Sequence, residues 1–338
     1  MRSVLLIFFS GVIFKCSGQL LGGQTVFNFL GNNNTAQYNA MGGKNVSYVQ
    51  NNSSAFLQNP ALWQTENSKY LSVDIKNIYG IVNSLATYTF TATQNVHTAF
   101  AVGYNNYGKL TRTDASGNLL GNFNANDIVV MYNMARNKNK PLSYGATFKL
   151  ANSQIDINSG IALATDVGLH YKHPTNGFAA GFVIKNFGIN LKKIGSLNDA
   201  LPFDMQIGVS KKIAKAPFAL SLTMHQLQQF NNYYNDTIFT NALTGTVKKV
   251  TFLNKLSNHF VVAVHIIPVQ YVTFDVGYNI KMRRELLYPS LNNGLTSLSF
   301  GCSVIKKDFV FNYAAQLLLI GKPTHQIQIA LPLNKKIF

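Results

Sequence analysis

Apolar and polar residues alternate over two stretches near the end of the chain. Val272, Phe274, Val276, Tyr278 and Ile280 share one parity, and Thr273, Asp275, Gly277, Asn279 and Lys281 the other. Leu298, Phe300, Cys302 and Val304 alternate in the same way with Ser297, Ser299, Gly301 and Ser303. A period of two places each set on its own face of a β-strand. Comparable segments recur at 69–77, 84–93, 96–106, 126–136, 142–152, 160–171, 177–186, 203–211, 217–227, 257–267, 270–281, 294–305, 308–318 and 324–333. Each is close to the roughly 9–11 residues that a tilted strand needs to cross a bilayer. The polar parity is Ser, Gly, Thr, Asn and Ala, with few Lys or Glu, which suits a crowded or watery lumen better than open solvent. The pattern predicts an all-β protein, a 14-stranded antiparallel transmembrane β-barrel. A soluble secreted β-protein, with its apolar face turned inward, is the alternative.

The connections carry independent information. With both termini on the periplasmic side, the turns at 94–95, 137–141, 172–176, 212–216, 268–269 and 306–307 are all short. The opposite side receives the long connections 107–125, 187–202, 228–256 and 282–293, and the shorter 78–83, 153–159 and 319–323. Short turns on one side and longer loops on the other are the asymmetry of outer-membrane barrels. The short turns are basic: Arg136, Lys138, Lys140, Lys172, Lys211, Lys212, Lys215, Lys306 and Lys307 flank them, and Lys335 and Lys336 stand near the last residue, Phe338. Such turns either meet anionic headgroups or are ordinary solvated turns.

Two segments precede the strands. Arg2 and Lys15 bracket an apolar run from Val4 to Phe14, and Cys16-Ser17-Gly18 follows, which predicts a signal peptide over 1–18. Lipidation at Cys16 is the alternative, and Lys15 directly before it argues against that. Residues 19–65, rich in Asn, Gly and small residues and without a sustained period, are expected to form a plug. The barrel then takes 66–338.

Composition agrees with a barrel. Of the residues 47% are hydrophobic and 12% charged, whereas soluble domains carry about 25% charged residues. No later apolar stretch is long enough for a transmembrane helix. Cys302 alone remains after the signal, which excludes an intrachain disulfide and reads as a packing residue. The net charge of +17, of which Arg2 and Lys15 supply two, points for an exported chain to lipid or lipopolysaccharide phosphates, with no nucleic acid.

Catalytic signatures are missing: there is no G-x-S-x-G elbow, no H-E-x-x-H and no Walker loop. No enzyme activity, metal or cofactor is expected. His170 and His173 stand three apart, which on a strand puts them on opposite faces. Asp166 and Asp275 lie on lumen-facing rows and are expected to hydrogen-bond the plug.

Certain segments resemble a known family. Gly23-Gln24-Thr25-Val26-Phe27-Asn28-Phe29-Leu30, Met41-Gly42-Gly43, Asn59-Pro60-Ala61-Leu62, the stretch Asp114 to Ala125, Leu201-Pro202-Phe203-Asp204 and Ala216-Pro217-Phe218 together carry the resemblance. The chain is similar to FadL-like outer-membrane β-barrels, and within them to the PorV/PorQ group of the type IX secretion system of Bacteroidota. Asn32-Asn33-Asn34 and Trp63 depart from the usual pattern. The resemblance implies fourteen strands, an N-terminal hatch in which Asn59, Pro60 and Ala61 form the plug motif, and an outer-membrane location. It also implies a scaffold role in a surface attachment complex with PorU and PorV. There the barrel would hold a PorZ-like surface protein so that secreted cargo is joined to lipopolysaccharide. Tyr233, Tyr234, Phe239 and Tyr288, aromatic residues of the long outer loops, are the expected partner-binding positions. The alternative function is FadL-like transport of hydrophobic small molecules. That would need a breach in the wall, for which Gly103 is the glycine to inspect.

Overall fold

The structure, a computed structural model, describes residues 25–32, 35–50, 52–63, 68–93, 95–137, 141–194, 200–230, 251–286, 295–306, 309–319 and 322–333. Fourteen strands close into one barrel: β1 (Tyr70–Ile78), β2 (Ile81–Thr93), β3 (Val96–Thr113), β4 (Leu119–Asn137), β5 (Leu142–Ile155), β6 (Asn158–Lys172), β7 (Phe178–Lys192), β8 (Asp204–Lys212), β9 (Phe218–Met224), β10 (Phe260–Val269), β11 (Val272–Asn279), β12 (Leu298–Lys306), β13 (Phe309–Leu319) and β14 (Lys322–Pro332). Every strand pairs antiparallel with its sequence neighbours. β1 closes the ring on β14, from Tyr70 opposite Pro332 to Asn77 opposite His325. Closure leaves no edge, the condition for a sheet to cross hydrocarbon.

Alternation assigns the two faces as expected. Phe274 and Phe300 are 46% and 43% exposed on the outside, whereas Thr273 and Asp275 are buried inside. On β4 the outward row runs Ile128, Val130, Tyr132 and Met134 between Asn126 and Arg136. Ten residues at a tilt near 40° give an apolar band about 25 Å tall, the height of a bilayer's hydrocarbon core. The molecule is therefore a membrane-spanning barrel of the outer-membrane type, and the soluble alternative does not hold.

The wall departs from expectation at one end. The connection expected over 107–125 is mostly strand: β3 reaches Thr113, β4 starts at Leu119, and Asp114–Asn118 form a tight turn. The period is lost in the sequence because the register shifts between Asn106 and Lys109, where Gly108 takes φ +73°. A bulge of this kind reverses the parity that alternation relies on. β3 and β4, at 18 and 19 residues, thus rise well above β9 and β11, at 7 and 8. Ile280 and Lys281 end the β11 alternation by entering a short helix, Ile280–Glu285, capped by Asn279 Oδ1, which accepts from Met282 N at 3.1 Å. Gly103 makes no kink: it pairs in register with Leu85 on one side and Val129 on the other.

Residues 25–63, where described, lie inside the barrel. They form a 3-10 turn at Asn28–Gly31, a one-turn helix at Ala36–Ala40 and a 3-10 turn at Ala55–Leu57. Phe27, Phe29, Leu30, Phe56 and Leu57 pack on wall residues Leu85, Ala99, Val129 and Met131, so the core of this protein lies between plug and wall. The signal-peptide segment lies outside the described residues.

Candidate functional site

The plug is fixed first by Asn59-Pro60-Ala61. The Asn59 amide donates to the carbonyl oxygens of Val46 and Leu169, each at 3.0 Å, and Asn59 Oδ1 accepts from Ala61 N at 3.0 Å. Ser143 Oγ donates to Ala61 O at 3.0 Å. The wall makes room with glycines. A methyl group on Gly181 would stand 1.9 Å from Val46 O, and one on Gly168 1.9 Å from Asn59 Oδ1. Both positions must therefore lack a side chain for the Val46 carbonyl and the Asn59 side chain to fit against the wall.

Further ties run round the lumen. Asp74 accepts from Ala36 N at 2.8 Å, and Ser54 Oγ lies 2.6 Å from Thr87 Oγ1. Gln50 donates to Thr273 Oγ1 at 3.0 Å, Lys185 Nζ to Leu57 O at 2.8 Å, and Lys44 pairs with Asp204 at 2.8 Å. Apart from the half-buried Lys44 and Gln50 these groups are buried, and a buried polar group without a partner costs about 1–3 kcal/mol. The lumen's polar face and the plug's Asn-rich composition satisfy each other.

Asp166 and Asp275 act differently from one another. Asp166 pairs with Lys149 at 2.7 Å and accepts from Asn186 N at 2.8 Å, bracing a β7 bulge instead of bonding the plug directly. Asp275 Oδ1 lies 2.6 Å from His265 Nδ1, and His265 Nε2 lies 2.9 Å from Ser221 Oγ. The plug's Asn45 donates to that same Ser221 oxygen at 2.8 Å, and Tyr48 stacks on His265 with ring centroids 3.7 Å apart. Ser221, His265 and Asp275 have the mutual distances of a nucleophile, base and orienting acid. Asn45 and Tyr48 occupy the space a substrate would need, so the triplet serves as an attachment point for the plug. Alternation on β9–β11 could have placed these three on the lumen face, but their meeting depends on register.

Open volume remains at both ends. Above the plug, at the loop end, a cavity of about 400 Å³ is lined by Val26, Phe27, Phe29, Leu110, Phe123 and Ile155 among others. It adjoins, through Thr25 and Asn28, a polar cavity of about 420 Å³ holding Lys44, Lys185, Asp204 and Lys281. At the turn end a third, of about 360 Å³, opens between plug and wall.

His170 is buried and its Nε2 lies 2.9 Å from Ser47 O, while His173 sits in the β6–β7 turn, so the two do not converge. Among the described residues no three His, Cys, Asp or Glu gather as metal ligands. Cys302 is a free, half-buried thiol on the outward parity. Tyr233, Tyr234, Phe239 and Tyr288 lie outside the described residues.

Fold and lumen together define a plugged, 14-stranded antiparallel β-barrel of the outer-membrane type. No protein-family model matches the sequence, and no curated protein does. Solved structures match in fold. The Pseudomonas putida toluene transporter TodX is 13% identical, with a TM-score of 0.50 over 88% of this chain and 96% of that one. A TodX mutant, described as a monoaromatic hydrocarbon channel, is 14% identical, with a TM-score of 0.51 over 88% and 97%. A Pseudomonas aeruginosa FadL homologue is 10% identical, with a TM-score of 0.49 over 89% and 98%.

Proposed function

We propose that this barrel is a non-enzymatic, non-conducting scaffold in the outer membrane. On this reading it belongs to the attachment complex of the type IX secretion system, as PorQ does. It holds a PorZ-like surface protein at its loop end, next to PorU and PorV, while secreted cargo is joined to lipopolysaccharide. The observation that supports the reading is the seal: plug backbone meets the wall at Gly145 and Gly181, and the wall around Gly103 is paired without a break. The raised β3–β4 hairpin, with Leu119 76% and Leu120 58% exposed, adds apolar surface at the loop end. Purification from native outer membranes, with co-purifying proteins identified, tests the reading. Retention of a large surface protein, lost when 228–256 or 107–125 is replaced by a short Gly-Ser turn, supports it. Normal partner retention and cargo attachment after replacement of each long loop overturns it.

A second reading, transport of a hydrophobic compound, is favoured by the apolar cavity above the plug and by what the TodX structures are described as carrying. Uptake of toluene into proteoliposomes containing the barrel would support that reading against the first.

A further inference from the structure

The cavity at the turn end lies between plug and wall, beside the contacts made by Tyr48, Gln50 and His170. Plug residues Tyr48 and Val49 form one side, and Phe178, Ala179 and Ile267 of the wall contribute to the other. Lys172 and Lys212, both exposed, stand at its mouth. Ser47 also lines it. That residue is 1% exposed, its carbonyl is met by His170 Nε2 at 2.9 Å, and its N–H donates to Asn45 Oδ1 at 3.3 Å. Its hydroxyl has no partner among the described residues. A buried hydroxyl left without a partner is costly, and this one borders the cavity.

Among the described residues the charge around the mouth has one sign; Glu66 and Asp308, next to the same end in the sequence, lie outside them. Lys69, Arg136, Lys211, Lys215 and Lys306 also belong to this end, whereas every carboxylate among the described residues lies within the lumen or at the loop end. Short turns face the periplasm in outer-membrane barrels. The occupant therefore comes from the periplasm and is anionic, with an apolar part for Val49, Phe178 and Ile267. At about 360 Å³ the cavity is at the small end of ligand pockets, enough for a few side chains and too small for a folded domain. Lipid headgroups lie outside the ring of strands, whereas this cavity lies inside it, against the plug.

We propose that the turn-end cavity is a docking site for an acidic peptide segment of a periplasmic protein. An apolar side chain of the segment enters against Val49, Phe178 and Ile267. Its carboxylates meet Lys172 and Lys212. Charge at the mouth steers the segment, and burial holds it. This site is independent of any partner at the loop end.

The test uses the full chain in nanodiscs of phosphatidylcholine. The probe is a dansylated pentapeptide of alternating phenylalanine and glutamate, and its control has glutamine in place of glutamate. Saturable binding of the acidic peptide is expected, weaker by about tenfold or more for the control and for Lys172→Glu combined with Lys212→Glu. Ala179→Trp fills the cavity without changing charge and is expected to abolish binding, with heat-modifiable migration confirming a folded barrel. Ile267→Trp serves the same purpose where Ala179→Trp does not fold. Absence of saturable binding to the unaltered chain overturns the proposal. So does binding that survives a filled cavity, which would make it diffuse attraction to the turns.

Discussion

The side-chain amide of Asn59 lies 3.0 Å from the carbonyl oxygen of Leu169, 110 residues further along the chain. The same amide reaches Val46 O at 3.0 Å, so one side chain joins two parts of the plug to strand β6. Asn59 itself has no exposed surface. Asn59→Ala leaves the Val46 and Leu169 carbonyls without that donor. The expected loss is about 1–3 kcal/mol, as a lower urea midpoint for loss of heat-modifiable migration. An unchanged midpoint would mean that Pro60 and the wall glycines hold the plug without it.

The Lys149–Asp166 pair is almost fully enclosed, with side chains 4% and 1% exposed. Removing one partner strands the other charge. Asp166→Asn is expected to cost about 3–5 kcal/mol, whereas Lys149→Met combined with Asp166→Leu recovers much of the loss. A double variant no more stable than the single one would show that the pair is needed for the Asn186 bulge itself.

Phe300 faces outward as the third residue of β12, and Ser299 faces inward. Phe300→Arg near the bilayer midplane is expected to destabilise the barrel by about 2–4 kcal/mol. Ser299→Arg meets crowding against the plug instead, and deletion of the plug segment should relieve it. Equal folded yields of Phe300→Arg and the unaltered chain in bilayers would contradict the assignment of the two faces.

Asp114 organises the β3–β4 turn above the membrane. Its carboxylate accepts from Asn118 Nδ2 at 2.8 Å and from the Ser116 and Asn118 N–H groups at 2.9 and 2.8 Å. The Asn118 bonds hold its pKa below the ordinary aspartate value. A depressed pKa means that the turn is fully stabilised above the unfolded value and loses that support as pH falls through the folded one. An NMR titration in nanodiscs should place the Asn118 amide transition below the ordinary aspartate range. A transition at or above that range would contradict the turn geometry. Asp114→Asn should abolish it.

The sequence by itself determined the strands, their number and their faces. Period-two alternation is local: Thr273 and Phe274 take opposite faces whatever lies across from them, and an even strand count follows from turns that alternate short and long. It also placed Asn59-Pro60-Ala61 in a segment unlike the strands. The alternation failed where its premise failed, at the Gly108 bulge that carries β3 on to Thr113 and at Ile280, where a helix interrupts β11. Only the tertiary structure decided which lumen residues meet. His265 faces Asp275 because β10 and β11 pair in that register, and Ser221 reaches the same ring from β9. Asp166 and Asp275 carry the same signal in the sequence, an acid on an inward row. One meets a lysine and the other a histidine because shear and closure of the ring choose their neighbours, and those are long-range quantities that no local pattern encodes.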